Sequence, residues 1–426
     1  MIKQAVILAG GNGSRLKSLN LGVPKILIDL NGKKLLDVQF EELRKGGITK
    51  ILLLLGKESD QISNYLKNTK WEKIFEITSV IENTELGTGG ALVNALKELD
   101  SKFILICGDI YITNVIPQLL REINKEPNII LTRSSDHIFD SNLLTIDINK
   151  KVYKLFLRPH KNSSYLRNRA FTGIYVLSKE TIAFLSEYFV NQKFDFDSLG
   201  IPFSINRGLD FFAVTATGII KDIGTPERLY EVLEITKSKV VNEKVQTIFL
   251  DRDGVINHEK DYVLTPTQFE IIPGVPQAIK AFKEYGYKVI IVTNQPVIAR
   301  GDITFEQLED IHARLDTALA DIDTYIDDYY ICPHHPDKGF EGEIIELKID
   351  CSCRKPKPGL LLSAIKKYNV DCKKSLMIGN SDSDYLASIS AGISYIGIGN
   401  TYRNPKNYPS FNSIEQCLKF VKGIKQ

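Results

Sequence analysis

The sequence has no long apolar run and few cysteines. None of its apolar stretches reaches the ~18 residues that a membrane-spanning helix needs, so we expect no membrane partner. Six cysteines among 426 residues are too few for a disulfide scaffold. The first residues, Met1 to Gln4, lead directly into a β-prone stretch, so we expect no signal peptide. These absences predict a cytoplasmic protein.

An excess of charge of one sign is also missing. The 54 basic and 52 acidic residues leave a net charge of +2 at pH 7. This near balance argues against a nucleic-acid partner. A hydrophobic fraction of 43% and a charged fraction of 25% are typical of folded globular proteins. Because domains usually span ~100–200 residues, the length predicts two or three of them.

Two carboxylates follow a buried strand in the second half. The stretch 247–250 is apolar and β-prone, and Asp251 and Asp253 come directly after it. Two crowded acids are unfavourable unless a cation lies between them, and ligands of open α/β sheets bind at strand ends. The pattern indicates a Mg²⁺ site with a carboxylate that can attack phosphorus. On this motif alone, an ordinary acidic turn is an equally good explanation.

Three further features follow in order: a strand ending at Thr293, the cations Arg354 and Lys355, and the stretch 378–384. With Asp-Arg-Asp-Gly-Val they resemble the haloacid dehalogenase superfamily of phosphatases. The resemblance implies an aspartyl-phosphate mechanism with the following assignments: Asp251 as nucleophile, Asp253 as acid and base, Thr293 and Lys355 as phosphoryl-stabilising groups, Asn294, Arg300 and Arg354 as substrate contacts, and Asp251, Asp253, Asn380 and Asp384 as Mg²⁺ ligands.

One position departs from that superfamily. The usual metal-binding aspartate after Gly379 is Asn380 here, and a neutral amide holds Mg²⁺ less tightly unless Asp384 or Asp382 compensates. A weak or non-catalytic second domain that only binds sugar phosphate therefore stays open.

Three cysteines and neighbouring histidines form a second candidate metal site. Cys332, Cys351 and Cys353 with His334 or His335 have the composition of a tetrahedral Zn²⁺ site; a chance cluster of thiols is the alternative. Four such ligands leave no open position, so the zinc would be structural. The motifs around them resemble the heptose 1,7-bisphosphate phosphatases, relatives of the histidinol phosphatases, and this resemblance selects His334 as the ligand.

The first half begins with a strand and a glycine-rich loop, Gly10 to Leu16, with Lys25 nearby. Such loops bring backbone N–H groups to phosphate oxygens, although most glycine loops are ordinary turns. Together with Pro24-Lys25 the loop resembles the sugar-1-phosphate nucleotidyltransferases. That resemblance implies the following sites: Arg15 and Lys25 as catalytic groups on the triphosphate, Gly10, Gly11, Gly13, Glu85, Gly87 and Thr88 around the nucleotide, and Asp109 and Asp222 as Mg²⁺ ligands.

Sugar-contacting positions of that family differ here. The chain has Phe156 to Pro159 and Phe171 to Tyr175 where other residues are common, which leaves the sugar open. Arg158 is a candidate replacement cation. Four other cationic residues are interpreted as surface residues without a role: His137, His160, Arg167 and Arg169.

We therefore predict an α/β protein with two Rossmann-like domains. Residues 1–238 would form a nucleotidyltransferase (GT-A-like) sheet, and residues 245–426 a haloacid dehalogenase-like sheet with a zinc loop. The polar stretch between them is the predicted boundary, and Ser413 to Lys422 is a predicted tail helix.

The two resemblances predict consecutive reactions. The second domain would remove the 7-phosphate of a heptose 1,7-bisphosphate, and the first would couple the 1-phosphate with GTP to give GDP-D-glycero-α-D-manno-heptose and pyrophosphate. The alternative is a mannose- or glucose-1-phosphate transferase beside a histidinol-type phosphatase. In either case the partners are small molecules, and the cofactors are Mg²⁺ in both domains and Zn²⁺ in the second.

Overall fold

The structure is a computed structural model that describes residues 2–11, 16, 19, 22–123, 125–160, 165–237, 244–399 and 408–425. The chain divides into two compact units. The first contains Met1–Arg133, Asn149–Leu155 and Phe171–Asn242, and the second contains Ser134–Ile148, Phe156–Ala170 and Glu243–Gln426. Within the described ranges, no helix combines the length and apolar character of a bilayer crossing.

The strands of the amino-terminal part are β1 Gln4–Ala9, β2 Lys50–Leu55, β3 Glu76–Ile81, β4 Lys102–Cys107, β5 Ile110–Thr113, β6 Ile129–Arg133, β7 Leu143–Ile146, β8 Val152–Phe156, β9 Ala170–Ser178, β10 Phe212–Thr215 and β11 Ile219–Asp222. The helices are α1 Leu35–Lys45, α2 Ser59–Lys67, α3 Gly87–Asn94, α4 Ile116–Glu122, α5 Lys179–Tyr188, α6 Ile201–Asn206 and α7 Pro226–Lys237.

A central sheet organises the first unit, with main strand order β10-β6-β9-β4-β1-β2-β3. Strand β1 lies parallel to both β2 and β4, while β9 is antiparallel to β4. The apolar run of β1 is explained by this position, because a parallel strand at the centre of a sheet is buried on both faces. A separate ribbon of β5 and β11 pairs Ile110 with Asp222.

The second unit adds strands β12 Thr247–Leu250, β13 Lys288–Asn294, β14 Asp328–Cys332, β15 Leu376–Gly379, β16 Ser394–Ile398 and β17 Ser410–Phe411. Its helices are α8 Val275–Glu284, α9 Phe305–Ala320, α10 Gly359–Tyr368, α11 Asp382–Ser390 and α12 Leu418–Lys425. The predicted tail helix from Ser413 is wrong at its start, because turns precede Leu418.

Its sheet is parallel throughout, in the order β14-β13-β12-β15-β16-β17. Leu250, the last residue of β12, pairs with Ile291 on one side and Ile378 on the other. Because parallel strands present their carboxyl ends at one edge, the residues after β12, β13 and β15 converge there. The predicted α/β class with these two kinds of sheet is confirmed.

Two segments from the first half of the sequence belong to the second unit: Ser134–Ile148 and Phe156–Ala170. Their apolar side chains Ile138, Leu143 and Leu166 pack with Ala320 of α9. The backbone N–H of Leu166 also donates to the Thr317 hydroxyl at 2.8 Å. Helix α9 is thus covered by residues that come much earlier in the chain, since Leu166 and Thr317 are 151 positions apart.

Candidate active sites

A cleft of about 660 Å³ opens where β1 and β4 of the first unit end. Seven of the predicted nucleotide-site residues line it: Gly10, Gly11, Lys25, Glu85, Gly87, Thr88 and Asp109. Gly13 and Arg15 lie outside the described residues. The structure therefore brings together most of the residues that the glycine loop and the later Glu-Leu-Gly-Thr-Gly-Gly motif suggested.

The two predicted Mg²⁺ ligands of this unit come from neighbouring backbone positions. The carbonyl of Asp109 accepts the N–H of Ile223 at 2.9 Å, directly after Asp222. Lys25 Nζ lies 3.2 Å from Asp109 Oδ2. Asp222 instead contacts Arg228, whose Nη1 lies 2.9 and 3.0 Å from its two carboxylate oxygens. Oxygen donors of this kind suit Mg²⁺, although Asp222 does not line the cleft.

The Asp222 carboxylate is held in its ionised form. Burial alone would raise its pKa, but the hydrogen bond and charge of Arg228 and the backbone N–H of Gly224 bring the pKa below its ordinary value. A cation that bound Asp222 would compete with Arg228 for the same oxygens.

The loop that opens α3 is held by a segment that the sequence interpretation missed. Gly87 has a φ of +70°, and a Cβ there would lie 2.5 Å from the Phe194 carbonyl oxygen. Thr88 Oγ1 donates to Asp195 Oδ2 at 2.9 Å. Lys193 pairs with Glu85 at 3.1 Å, and Lys193, Phe194 and Asp195 all line the cleft. The alternation of aromatic and acidic residues in Phe194-Asp195-Phe196-Asp197 is the signal that the sequence carried for this segment.

A buried lysine is the centre of the second site. Lys355 Nζ lies 2.8 Å from Asp251 Oδ1, 2.6 Å from Asp384 Oδ1 and 2.8 Å from the Val292 carbonyl oxygen. The whole residue is 4% exposed. Groups from three elements thus contact one ammonium group: the residue after β12, a carbonyl of β13 and the first turn of α11. The neighbouring positions of β12, β13 and β15 in the sheet bring these groups together.

These charges set the ionisation of the nucleophile candidate. Burial and the neighbouring Asp384 raise the pKa of Asp251 to about 7, although Lys355 opposes the shift. Burial lowers the pKa of Lys355, but the two carboxylates outweigh it, so that the pKa lies above its ordinary value. A divalent cation beside Asp251 would favour its carboxylate, which fits the oxygen donors present.

Asp253 occupies a different environment two residues on. Arg252 Nη2 lies 2.9 Å from both of its carboxylate oxygens, Asn257 donates to Oδ1 at 3.0 Å, and Gln295 donates to Oδ2 at 2.9 Å. Burial raises its pKa, but Arg252 and these hydrogen bonds bring it below the ordinary value. Gln295 also donates to Thr293 Oγ1 at 2.9 Å, so one amide group links the Thr293 hydroxyl to Asp253.

Asn294 and Asp384 have their polar atoms engaged within the site. The Asn294 amide donates to the Lys355 carbonyl and accepts its N–H, both at 3.0 Å, so it positions the lysine. Asp384 Oδ1 contacts Lys355, and its Oδ2 accepts from the N–H groups of Asn380 and Ser381. This arrangement favours a lysine-holding role for Asp384 over compensation at the metal site. Asp382 is exposed.

Asn380 lies against the loop after Asp253. Gly254 has a φ of +76°, which favours glycine, and a Cβ there would displace the Asn380 amide nitrogen. The same nitrogen donates to Glu259 Oε2 at 3.2 Å. The amide oxygen is then the atom that can bind Mg²⁺, together with the carboxylate of Asp251.

The predicted substrate contacts Arg300 and Arg354 lie on separate loops. The guanidinium carbon of Arg300 is 4.0 Å from the Tyr262 ring centroid and 4.9 Å from that of Phe340. Arg354 Nη1 donates to the His334 carbonyl at 3.2 Å. Arg300 is thus held between aromatic rings, and Arg354 is tied to the cysteine loop.

The four predicted zinc ligands converge. Cys332, His334, Cys351 and Cys353 offer ligand atoms within 4.8 Å of one another, and they form the only such metal-binding group among the described residues. Their sulfur atoms are 3.1 to 3.6 Å apart. Zn–S bonds of ~2.3 Å place tetrahedral ligands slightly farther apart, so the cluster fits Zn²⁺ with a small expansion. His335 faces Phe340 and Asp337 instead.

The interpretation of Arg167 as a surface residue is wrong. Its side chain is 1% exposed and forms ion pairs with Asp316 and Glu309. Arg169 is 15% exposed and also pairs with Glu309. Both contacts lie within the second unit, about 140 residues away in sequence, a separation that local patterns cannot predict. His137 is exposed as expected.

One sheet has a cleft with acidic and basic residues at its strand ends, and the other has Asp251 and Lys355 at its strand ends. These sites are typical of a transferase domain and a phosphatase domain in one chain. A family model described as nucleotidyl transferase matches residues 4–239, and one described as haloacid dehalogenase-like hydrolase matches residues 214–392. The chain belongs to these two families, and it is an enzyme with transferase and hydrolase domains. Phosphatases of the second family use Mg²⁺.

Individual proteins that resemble each half of the chain are known. The chain is 41% identical over 153 residues to D-glycero-beta-D-manno-heptose-1,7-bisphosphate 7-phosphatase of Yersinia pestis, covering 36% of this chain and 79% of that protein. HddC from Yersinia pseudotuberculosis is 30% identical, with coverages of 55% and 100% and a TM-score of 0.47. A UDP-glucose pyrophosphorylase complexed with UDP-glucose is 17% identical, with coverages of 56% and 100% and a TM-score of 0.50, and shares the fold.

Proposed function

We propose that the second domain removes the 7-phosphate of a heptose 1,7-bisphosphate. The observation that carries the proposal is Lys355 between Asp251 and Asp384. A buried ammonium at this place stabilises the phosphoryl oxygens and keeps Asp251 directed toward phosphorus. The heptose is supported by the similarity to the Yersinia pestis phosphatase, of which this chain covers 79%.

The reaction has two steps. Asp251 forms a bond to phosphorus while the bond to the sugar oxygen breaks, and Asp253 gives that oxygen its proton. Asp253 then takes a proton from water, which attacks the aspartyl phosphate and releases phosphate and free Asp251. Mg²⁺, held by Asp251 and the Asn380 oxygen, would supply positive charge to the phosphoryl group.

We propose that the first domain couples the resulting heptose 1-phosphate with GTP. An oxygen of the 1-phosphate attacks the α-phosphorus, and the bond to the β-phosphate breaks to release pyrophosphate. Lys25 in the cleft stabilises charge on the triphosphate, and Asp109 and Asp222 would hold Mg²⁺ there. Guanine is inferred because a nucleotidyltransferase of this loop type, joined to a heptose phosphatase, resembles the guanylyl branch of heptose activation.

The proposed product is GDP-D-glycero-α-D-manno-heptose. The related phosphatases carry the β anomer in their names, so the anomer needs its own test. The experiment is to incubate the protein with α- and β-heptose 1,7-bisphosphate and each of four nucleoside triphosphates. Release of pyrophosphate with GTP and the α anomer is the expected result. Consumption of ATP or dTTP but not GTP would refute the base assignment.

A non-catalytic second domain has one observation in its favour, the neutral Asn380 at the position of a metal ligand. The Asp251→Asn variant distinguishes the two cases. If the domain is a phosphatase, phosphate release by the native protein disappears in the variant. Absence of release from the native protein on any sugar bisphosphate would favour binding alone.

A further inference from the structure

Helix α9 carries a row of buried polar side chains on one face. Glu309 and His312 are 0% exposed and Asp316 is 1% exposed, with the three-and-four spacing that places residues on one side of a helix. Buried acids need charged partners, and here these come from Arg167 and Arg169. Both arginines lie on the segment Phe156–Ala170, which belongs to the second unit.

His312 lies between this group and the phosphatase site. Its ring centroid is 4.9 Å from that of Tyr329, whose hydroxyl donates to Asp316 at 2.5 Å. The guanidinium carbon of Arg167 lies 4.1 Å from the same tyrosine ring centroid. The imidazole is therefore packed on the ring that Arg167 and Asp316 hold in place.

The other side of His312 faces Arg252. The distance between His312 Nε2 and Arg252 Nη1 is 3.4 Å. A guanidinium can only donate, so this contact is a hydrogen bond when Nε2 accepts, in a neutral imidazole with its proton on Nδ1. Arg252 is 1% exposed and donates to the Asp253 carboxylate from two nitrogens, Nη2 at 2.9 Å to both oxygens and Nε at 3.3 Å to Oδ1.

The charges around His312 favour this neutral form. Three arginines face three carboxylates near His312. On α9 itself, Glu309 and Asp316 pair with Arg167, and Glu309 also pairs with Arg169. On the loop after β12, Asp253 pairs with Arg252. Burial and the three guanidinium groups lower the pKa of His312 well below its ordinary value. Loss of Arg167 would leave Asp316 without its ion-pair partner and would favour an imidazolium, which cannot accept from Arg252.

We propose that His312 is a positioning residue for Asp253, acting through Arg252, and that Arg167 keeps the imidazole in the form that accepts this hydrogen bond. The inference rests on the proposed role of Asp253 as general acid. It does not depend on which sugar is the substrate, because the leaving oxygen of any alkyl phosphate needs a proton.

Two small substrates isolate that proton transfer. The 4-nitrophenolate of 4-nitrophenyl phosphate leaves without protonation, whereas the alkoxide of 4-nitrobenzyl phosphate does not. The ratio kcat/KM covers only the steps through aspartyl-phosphate formation, so it excludes the later role of Asp253 as base. A residue that positions the acid should therefore affect the benzyl ester much more than the phenyl ester.

The first test compares His312→Phe with His312→Gln in the full chain. We expect His312→Phe to lower kcat/KM for 4-nitrobenzyl phosphate about tenfold, part of the ~10²–10⁴-fold range of general acid catalysis, and to leave 4-nitrophenyl phosphate within about twofold. Glutamine retains an acceptor oxygen and should restore most of the benzyl activity. Equal losses on both substrates, or no loss in His312→Phe, would overturn the proposal.

The second test concerns Arg167. In Arg167→Met, the ratio of benzyl to phenyl ester kcat/KM should decline as the pH falls toward 6, because the ionisation of Asp251 affects both esters equally and cancels in the ratio. Adding His312→Gln should remove this decline of the ratio because glutamine does not titrate. Nitrogen NMR of the native protein should show a neutral Nδ1–H imidazole at pH 7.5; an imidazolium would overturn the proposal. If Arg167→Met does not fold, the NMR measurement and the comparison of His312→Phe with His312→Gln still test the proposal. Hydrolysis of both esters with no action on heptose bisphosphate would refute only the proposed sugar.

Discussion

Lys355 holds together two buried carboxylates whose mutual repulsion would otherwise be unopposed. Its ammonium is 2.8 Å from Asp251 and 2.6 Å from Asp384, and the raised pKa of Asp251 reflects burial and that second acid. The site therefore stores electrostatic strain in the metal-free protein. Ionisation of Asp251 should therefore lower the free energy of unfolding.

We predict that Asp251→Asn stabilises the metal-free protein at high pH. The folded pKa of Asp251, about 7, lies above the ~3.9 of an unfolded aspartate, so the native free energy of unfolding falls as the pH rises between these values. The variant avoids this loss, and its advantage should grow from near zero at pH 4 to at most about 4 kcal/mol above pH 7. Denaturant titrations across this range measure it.

The exposed Asp261 provides the control, and Asp261→Asn should show no such trend. Saturating Mg²⁺ should narrow the difference, since the cation stabilises the native carboxylate. A difference in the free energy of unfolding between variant and native protein that stayed constant from pH 4 to pH 8 would contradict the prediction.

Asn380 is the residue at which metal affinity can be changed. Asn380→Asp adds a carboxylate to the donor set, but its side chain would face Glu259, now 3.2 Å from the amide nitrogen. We expect the variant to need about tenfold less Mg²⁺ for half-maximal phosphatase activity and to unfold at a lower temperature without metal. The exposed Asn412→Asp is the control. An unchanged Mg²⁺ requirement would show that Asn380 is not a ligand.

At the scale of elements, the cysteine loop connects β14 to the lysine that the site depends on. Cys353 precedes Lys355 by two residues, and the N–H of Arg354 donates to Cys351 Sγ at 3.3 Å. A Zn²⁺ ion would fix this connection, because four ligands from two separated stretches would be joined. Metal loss should therefore affect catalysis indirectly, by releasing Lys355.

We predict that Cys353→Ser abolishes stoichiometric zinc and lowers phosphatase kcat by at least about tenfold, as expected when a phosphoryl-stabilising group loses its position. Elemental analysis and phosphate release measure the two effects. Cys372→Ser is the matched control, because this free cysteine lies outside the cluster. Full activity in zinc-free Cys353→Ser would contradict a role of the loop in positioning Lys355.

Sequence patterns predicted the strands and the residues that directly follow them, because apolar runs and strand-end acids are local signals. They did not predict the partners of those residues. The prediction of Asp384 as a Mg²⁺ ligand stays a prediction, and the Ser381-x-x-Asp384 spacing is also that of a helix capping box, which the structure contains. Capping explains one of its oxygens, and Lys355 the other.

The buried face of α9 was less accessible to sequence reasoning. Glu309, His312 and Asp316 have the composition of a solvated helix surface, and their partner Arg167 lies 149 residues from Asp316 in the chain. Nothing local to either segment distinguishes buried ion pairs from exposed ones. The interpretation of Arg167 as a surface residue failed for this reason.

At the scale of the molecule, the second unit includes the segments Ser134–Ile148 and Phe156–Ala170. A phosphatase fragment that begins at residue 244 would omit both, so Glu309 and Asp316 would lose Arg167 and Arg169, and α9 would lose its apolar cover. Removing one partner of a buried ion pair costs roughly 3–5 kcal/mol. We therefore expect fragment 244–426 to be much less stable than the phosphatase unit of the full chain.

Neutralising the two acids should change the stability of the fragment and of the full chain in opposite directions. Glu309→Gln with Asp316→Asn should stabilise the fragment, because it removes two like charges that have lost their partners, and destabilise the full chain, because it leaves Arg167 and Arg169 unpaired. Thermal unfolding of all four proteins measures this interaction. If the double variant shifted both backgrounds in the same direction, the amino-terminal segments would not be the partners that make this charged helix face stable.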